Sequence, residues 1–199
     1  MRTVNPEQHA RKRQAIIEAA AVEFALNGVD GASTAAICRR AGIGSGTLFH
    51  YFPTKIDIFH ALFQGDLVRN AAGCREALEQ PAAVGLWLVV DLLVTDLGDP
   101  LVPGLLAAAL LQVNRDAVFA AMLAEDEAVV RATLTVLLQR MVDHGVTLPF
   151  PPARTARWIQ HLIDAGFFAA GDETFDAAVT LAELRTVISW LAGGQARPD

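Results

Sequence analysis

Apolar residues recur at helical spacing along nearly the whole chain, and no stretch alternates with the period of two that a half-buried strand requires. Between residues 7 and 27, Ile16, Ala20, Phe24 and their neighbours share one helical face; Gly28 closes the run and the turn VDGA follows. Ser33 is placed to cap a short support helix, which Gly42 ends cheaply by taking the left-handed conformation. Gly44 can cap the next helix, residues 45–51, which is about two turns long. In it Leu48, with Phe52 just beyond, faces inward, and Ser45, Thr47 and His50 face outward. Two helices therefore meet across a very tight turn. Pro53 stops the second, Thr54 caps a longer connector running to about residue 78, and Lys55 falls in its first turn. Along the connector Ile58, Phe59, Leu62, Phe63 and Leu67 face inward, while Asp57, Asp66 and Arg69 face water. Beyond Pro81 the pattern predicts helices over 82–97, 102–114 and 117–143, then a closing pair over 152–170 and 174–192. Gly98, His144-Gly145 and Gly193-Gly194 are the stops. The expected fold class is all-α, with about nine helices in total.

Composition adds one constraint. At 199 residues the chain can bury a real core, yet 53% of it is hydrophobic. The mean hydropathy is +0.34, so an apolar cavity, an apolar subunit interface or both are expected. A membrane span is the competing explanation, but the richest region, residues 81–113, is cut by Asp91, Asp96, Asp99, Pro100, Pro103 and Gly104 into runs well short of the roughly 18 to 20 residues needed. The basic N-terminus precedes no signal-type apolar stretch, and the expected location is the cytoplasm. Cys38 and Cys74 form no paired metal motif, and the five histidines show no metal-ligand spacing, so neither a metal nor another cofactor is expected. Packing is the simpler role for Cys38. No nucleophile elbow and no glycine-rich phosphate loop followed by Lys is present, and no strand precedes GIGSGT; an enzyme is not expected.

Charge is divided unevenly. Residues 1–55 hold seven Lys+Arg against four Asp+Glu, a balance of +3, and residues 56–199 hold nine against eighteen, −9, which together give the −6 of the whole chain. Both lysines, Lys12 and Lys55, lie in the basic part with Arg11, Arg13, Arg39 and Arg40. Positive charge there fits DNA phosphates. Small hydroxyls and an imidazole on a short exposed helix suit a groove, and Lys55 at a helix N-terminus suits a phosphate.

The run from Ile16 to Phe63 resembles the DNA-binding domain of the tetracycline-repressor (TetR) family of transcriptional regulators, over about a quarter of the chain. IIEAAAVEFALNGVDGAS matches its first helix and turn, TAAICRRAG its support helix, IGSGTLFHYF its recognition helix and PTKIDIFHALF the start of its connecting helix. Three positions depart: Gly44 where the family usually has a Ser cap, Ser45 where a basic residue is frequent, and Phe49 where a Tyr reaches a phosphate. The resemblance implies a three-helix helix-turn-helix domain over residues 1–54 and a helical regulatory domain over 55–199. By motif position it puts Thr47, His50 and Tyr51 near bases or phosphates, Ser33, Thr34, Ser45 and Lys55 at the backbone, and Gly46 and Phe49 in the same surface. The implied protein is a homodimeric repressor that binds an inverted-repeat operator in double-stranded DNA and is released by a small, lipophilic effector. The alternative is a binding protein of the same fold that holds DNA constitutively or senses a partner that is not a small molecule.

The closing helical pair carries large apolar residues on more than one face, more than one core needs, and is expected to be buried by a copy of itself. Trp158, Leu162, Phe168, Leu184, Ile188 and Leu191 are the expected interface residues; which face is core stays open. Between Pro81 and Arg140, Asp91 and Gln112 are stranded in apolar runs, where a carboxylate or amide without a partner costs a few kcal/mol. Either Asp91 pairs with Arg115 or Arg131, or Asp91 and Gln112 orient an effector in a pocket lined by Phe63, Leu67, Trp87, Leu111 and Phe119.

Overall fold

The structure is a computed structural model, which describes residues 6–194. All regular structure among them is helical: α1 Pro6–Gly31, α2 Thr34–Ala41, α3 Ser45–Tyr51, α4 Lys55–Glu79, α5 Ala82–Leu93, α6 Val102–Val113, α7 Ala117–Asp143, α8 Pro152–Ala169 and α9 Ala177–Leu191. The all-α expectation holds. Local chemistry explains most boundaries. α1 is broken at Gly28, whose φ of 64° no β-branched residue would tolerate. The hydroxyl of Thr54 accepts from the Asp57 amide while the Asp57 carboxylate accepts from the Thr54 amide, a reciprocal cap that fixes where α4 begins.

Two ends differ from the expected ones. α5 stops at Leu93, well before Gly98, because Val94 and Thr95 follow, and the Thr95 hydroxyl donates to the Asp91 carbonyl at 2.9 Å. α9 starts at Ala177 and not near 174, because the Asp176 carboxylate accepts from the amides of Ala178 and Val179.

Two apolar cores result. The first joins Ile16, Ala20 and Phe24 of α1, Ile37 of α2, Leu48 of α3, Ile58 and Phe59 of α4, Ala108 and Ala109 of α6, and Phe119 of α7. It takes in residues from both sides of position 54, so the head is packed onto the body. Gly104 marks how closely: a Cβ there would lie 2.1 Å from the carbonyl oxygen of Ala25, and only glycine lets α6 approach α1 at that point. The second core holds Cys74, Leu86, Trp87, Leu134, Leu138, Ile159 and Ile163 with the inner face of α9.

That inner face corrects part of the interface expectation. Leu184, Ile188 and Leu191 are buried in the second core, with Ile188 0% exposed, so they fill the protomer's own interior. Trp158 and Phe168 lie outside, Phe168 54% exposed, and Leu162 is half-buried. The exposed apolar partners on α9 are instead Val179, Val187 and Trp190, the last 61% exposed. Among the described residues no single helix is both long and apolar enough to cross a membrane; α6 and α7 meet both conditions only as a pair, bent by 114°.

Candidate nucleic-acid interface and ligand cleft

The head is set by a few short contacts. Gly42 takes φ 67°, and the Ile43 amide donates to the Cys38 carbonyl at 3.0 Å, ending α2 and turning the chain within two residues into α3. Gly44 is the N-cap of α3 and offers no side-chain bond to it. What holds α3 is burial of Leu48 and Phe52, which leaves Ser45, Gly46, Phe49 and His50 exposed and Thr47 half-buried. Of the outward set expected from helical phase, Ser45 and His50 face solvent and Thr47 only in part, while Gly46 and Phe49 join the exposed face. Ser33 spends its hydroxyl on the Ala36 amide at 3.1 Å as the cap of α2, and Thr34 follows it half-buried. Tyr51 stacks obliquely on His9 of α1, ring centroids 4.4 Å apart, and His50 meets the edge of both rings.

Of the six basic residues around this surface, Arg40 and Lys55 bind other parts of the head, and Arg11 pairs with Glu7 one turn away on α1 at 3.7 Å. Arg40 donates through Nε and Nη2 to the buried Glu23 carboxylate at 3.1 and 3.0 Å, tying α2 to α1. Lys55 turns its ammonium to the main-chain oxygens of Ala32, at 2.7 Å, and Asp30, at 3.2 Å. Arg13 lies over the Phe52 ring, 4.9 Å from its centroid. Arg11, Lys12, Arg13 and Arg39 are exposed.

Behind the head runs a cleft of about 610 Å³ between α1, α4, α6 and the end of α8. Its apolar wall includes Ile17, Ala21, Phe63, Leu105, Leu106 and Phe167, and its polar groups include Asp66, Arg69, Asn70 and Asp96. Of the seven expected pocket residues, Phe63 alone lines it. Phe119 is wholly buried in an aromatic cluster with Phe59 and Phe63, both 5.0 Å away, and Trp87 is buried in the second core. Leu111 is exposed, Gln112 is buried on α6, and Leu67 is half-buried on α4. Asp91 has neither expected partner: it accepts from Arg185 of α9 at 2.9 Å, whereas Arg115 pairs with Asp30 at 2.7 Å. The cleft residues missed in the sequence, Ile17 and Ala21 of α1 and Leu105 of α6 above all, belong to apolar runs whose second face is no different in composition from the first.

Two contacts tie α4 to α7 within the body. His60 Nε2 of α4 and Asp116 Oδ2, the cap of α7, are 2.6 Å apart, and the imidazole stacks on Phe119. Asp116 is held below the usual carboxylate range, first by the Phe119 amide and then by His60. Burial raises the Asp66 carboxyl above its ordinary value despite Arg69 beside it.

Comparison with known proteins agrees with the head. Residues 16–62 match the family described as bacterial regulatory proteins, tetR family. The HTH-type transcriptional regulator UidR of Escherichia coli is 39% identical over 67 residues, which are 34% of this chain and 34% of UidR. The similarity thus spans about a third of the length of that relative. The fold extends further. A TetR transcription regulator from Haloarcula marismortui superposes with a TM-score of 0.78 at 19% identity, covering 94% of this chain and 98% of that one. FadR from Bacillus subtilis, solved in complex with stearoyl-CoA, gives 0.70 at 22%, covering 91% and 98%. The tight turn, the exposed face of α3 and the match over residues 16–62 make the head of this chain similar to the matched domain of the tetR-family regulatory proteins, and the chain as a whole shares the all-helical fold of the solved regulators.

Proposed function

We propose that the protein is a cytoplasmic, DNA-binding transcriptional repressor that works as a homodimer and is released by a small apolar effector. One observation carries the reading: α3 presents Ser45, Gly46, Phe49 and His50 outward over buried Leu48, at the end of the molecule where Arg11, Lys12, Arg13 and Arg39 are exposed. A short helix of that kind fits a major groove, with the flanking charges on phosphates. Thr47, His50 and Tyr51 are assigned to the bases or nearby phosphates, and Ser33, Thr34, Ser45 and Lys55 to the backbone. Residues 1–54 act as the head and 55–199 as the regulatory domain. Dimerisation uses the outer faces of α8 and α9, where Trp158, Phe168, Val179, Val187 and Trp190 leave apolar surface in water. The two recognition helices then sit roughly 34 to 36 Å apart, over successive major grooves of an inverted repeat.

The cleft behind Phe63 is the effector site of this reading, and the FadR complex with stearoyl-CoA supports the capacity of the fold to hold an apolar ligand. α4 carries Phe63 in the cleft wall and Lys55 at its head end, so a ligand that displaces its middle also moves the clamp. The test is a footprint of the purified full-length protein on DNA upstream of its own gene at low salt. A protected inverted repeat is expected; no protection would refute the operator assignment.

A further inference from the structure

The cleft does not end at Phe167. A second cavity of about 210 Å³ adjoins it, sharing Leu93 and Phe167 as wall residues, and Asn70 of the first cavity donates to Asp126 of the second at 2.9 Å. Together the two are walled by seven carboxylates, Glu18, Asp66, Asp96 and Asp99 in the first and Asp126, Glu127 and Asp164 in the second. The positive groups in the same walls are Arg69, which already pairs with Asp66 at 3.2 Å and Asp96 at 2.7 Å, and Arg131, with His161 titratable. The unmet hydrogen-bonding capacity has the same sense. Gln160 donates its amide to the Glu127 carbonyl, which leaves its Oε1 in the wall, buried and without a donor. A ligand that brings a donor or a positive charge would satisfy this wall; one that brings a phosphate or carboxylate would meet like charge in a partly desolvated site.

We propose that this composite cleft is a receptor for a lipophilic cation, with an aromatic or bulky apolar body against Phe63, Leu93, Leu105 and Phe167 and its charge among Asp66, Asp96 and Asp126. Burial first, and then neighbouring carboxylates, Asp96 and Asp126 beside Asp66 and Glu127 beside Asp126, raise the carboxyl groups of Asp66 and Asp126, and a bound cation would offset that like-charge repulsion. The apolar wall supplies affinity and the carboxylate excess supplies discrimination by charge. The proposal deepens the effector reading and depends on it only for the step from binding to DNA release.

Tetraphenylphosphonium and tetraphenylborate, near-identical in shape and opposite in charge, are the probes. Calorimetry and thermal shift on the DNA-free protein are expected to show the phosphonium binding at least about tenfold more tightly than the borate. Asp66→Asn and Asp126→Asn, which keep side-chain shape, are each expected to weaken phosphonium binding about fivefold to tenfold, with helicity checked by circular dichroism. The exposed Asp164→Asn gives a second, fold-neutral reading in the same direction. Equal or tighter binding of the borate, or unchanged phosphonium binding by the Asp66→Asn/Asp126→Asn double variant, overturns the proposal. A mobility-shift arm on operator DNA with the same phosphonium separates the two levels: binding without any effect on DNA leaves the receptor standing and removes the gating.

Discussion

The ammonium of Lys55 lies 2.7 Å from the main-chain oxygen of Ala32, so the residue at the N-terminus of α4 holds the turn between α1 and α2. Without DNA its charge is spent on backbone carbonyls, and a phosphate must compete for it.

Two effects of Lys55→Ala follow. Thermal melting without DNA should show a loss of about 1 kcal/mol from the missing carbonyl bonds. Affinity for all DNA sequences should fall alike, with the salt slope reduced by about one unit in a titration against sodium chloride. His50→Ala, exposed and outside these bonds, should alter base preference and leave melting unchanged. A sequence-selective defect in the Lys55 variant would contradict the assignment.

The outer and inner faces of α9 predict opposite phenotypes for residues two positions apart. Trp190→Glu should convert the dimer to monomer in sedimentation while changing monomer stability by no more than about 0.5 kcal/mol, because its ring is largely in solvent before assembly. Ile188→Glu buries an unpaired charge and should cost about 3–5 kcal/mol, seen as an unfolded or aggregated chain. If Trp190→Glu stays dimeric, the interface lies elsewhere.

The same pair shows where the sequence stops being informative. α3 was readable to the residue because Gly42, Gly44 and Pro53 act locally, and the phase of Leu48 against His50 needs only seven residues. Ile188 and Trp190 lie on a helix apolar on two faces, and nothing in its periodicity says which face the protomer itself covers. Asp91 finds Arg185, 94 positions away, and no local rule could choose it over the nearer Arg115. The cleft fails for the same reason: α1, α4, α6 and α8 each contribute a few residues, and only their packing, tight at Gly104 against Ala25, decides which apolar side chains line a void and which, like Phe119, fill a core.

That seam can be probed directly. A helix interior normally gains about 1 kcal/mol from Gly→Ala, but at Gly104 the new Cβ would meet the Ala25 carbonyl oxygen at 2.1 Å, its carbon at 2.7 Å and Cα at 2.8 Å, all backbone. Gly104→Ala should therefore destabilise by about 1–3 kcal/mol in denaturant melts. Because α1 belongs to the head and α6 to the body, the variant should also alter the effect of a bound ligand on DNA affinity. A stabilised variant would mean the seam is loose.

Asp66 and Asp116 predict pH dependences of opposite sign. The Asp66 carboxyl is raised from 3.8 by burial, so between 3.8 and its folded value the native chain binds more protons than the unfolded one, and this group adds stability as the pH falls through that window. Above the window the charged form carries its penalty in full. Asp66→Asn should accordingly melt higher than the parent at neutral pH, even after losing its half-exposed pair with Arg69, and the difference should shrink in acid. Asp116 is lowered from 3.8, chiefly by the Phe119 amide, so its contribution is complete above 3.8 and lost as the pH falls through the lower folded value. Asp116→Asn should melt below the parent at neutral pH, and that difference too should close in acid, from the other side. Melting curves of the three proteins from neutral pH to below 4 test both signs, and parallel curves would show that neither carboxylate titrates differently on folding.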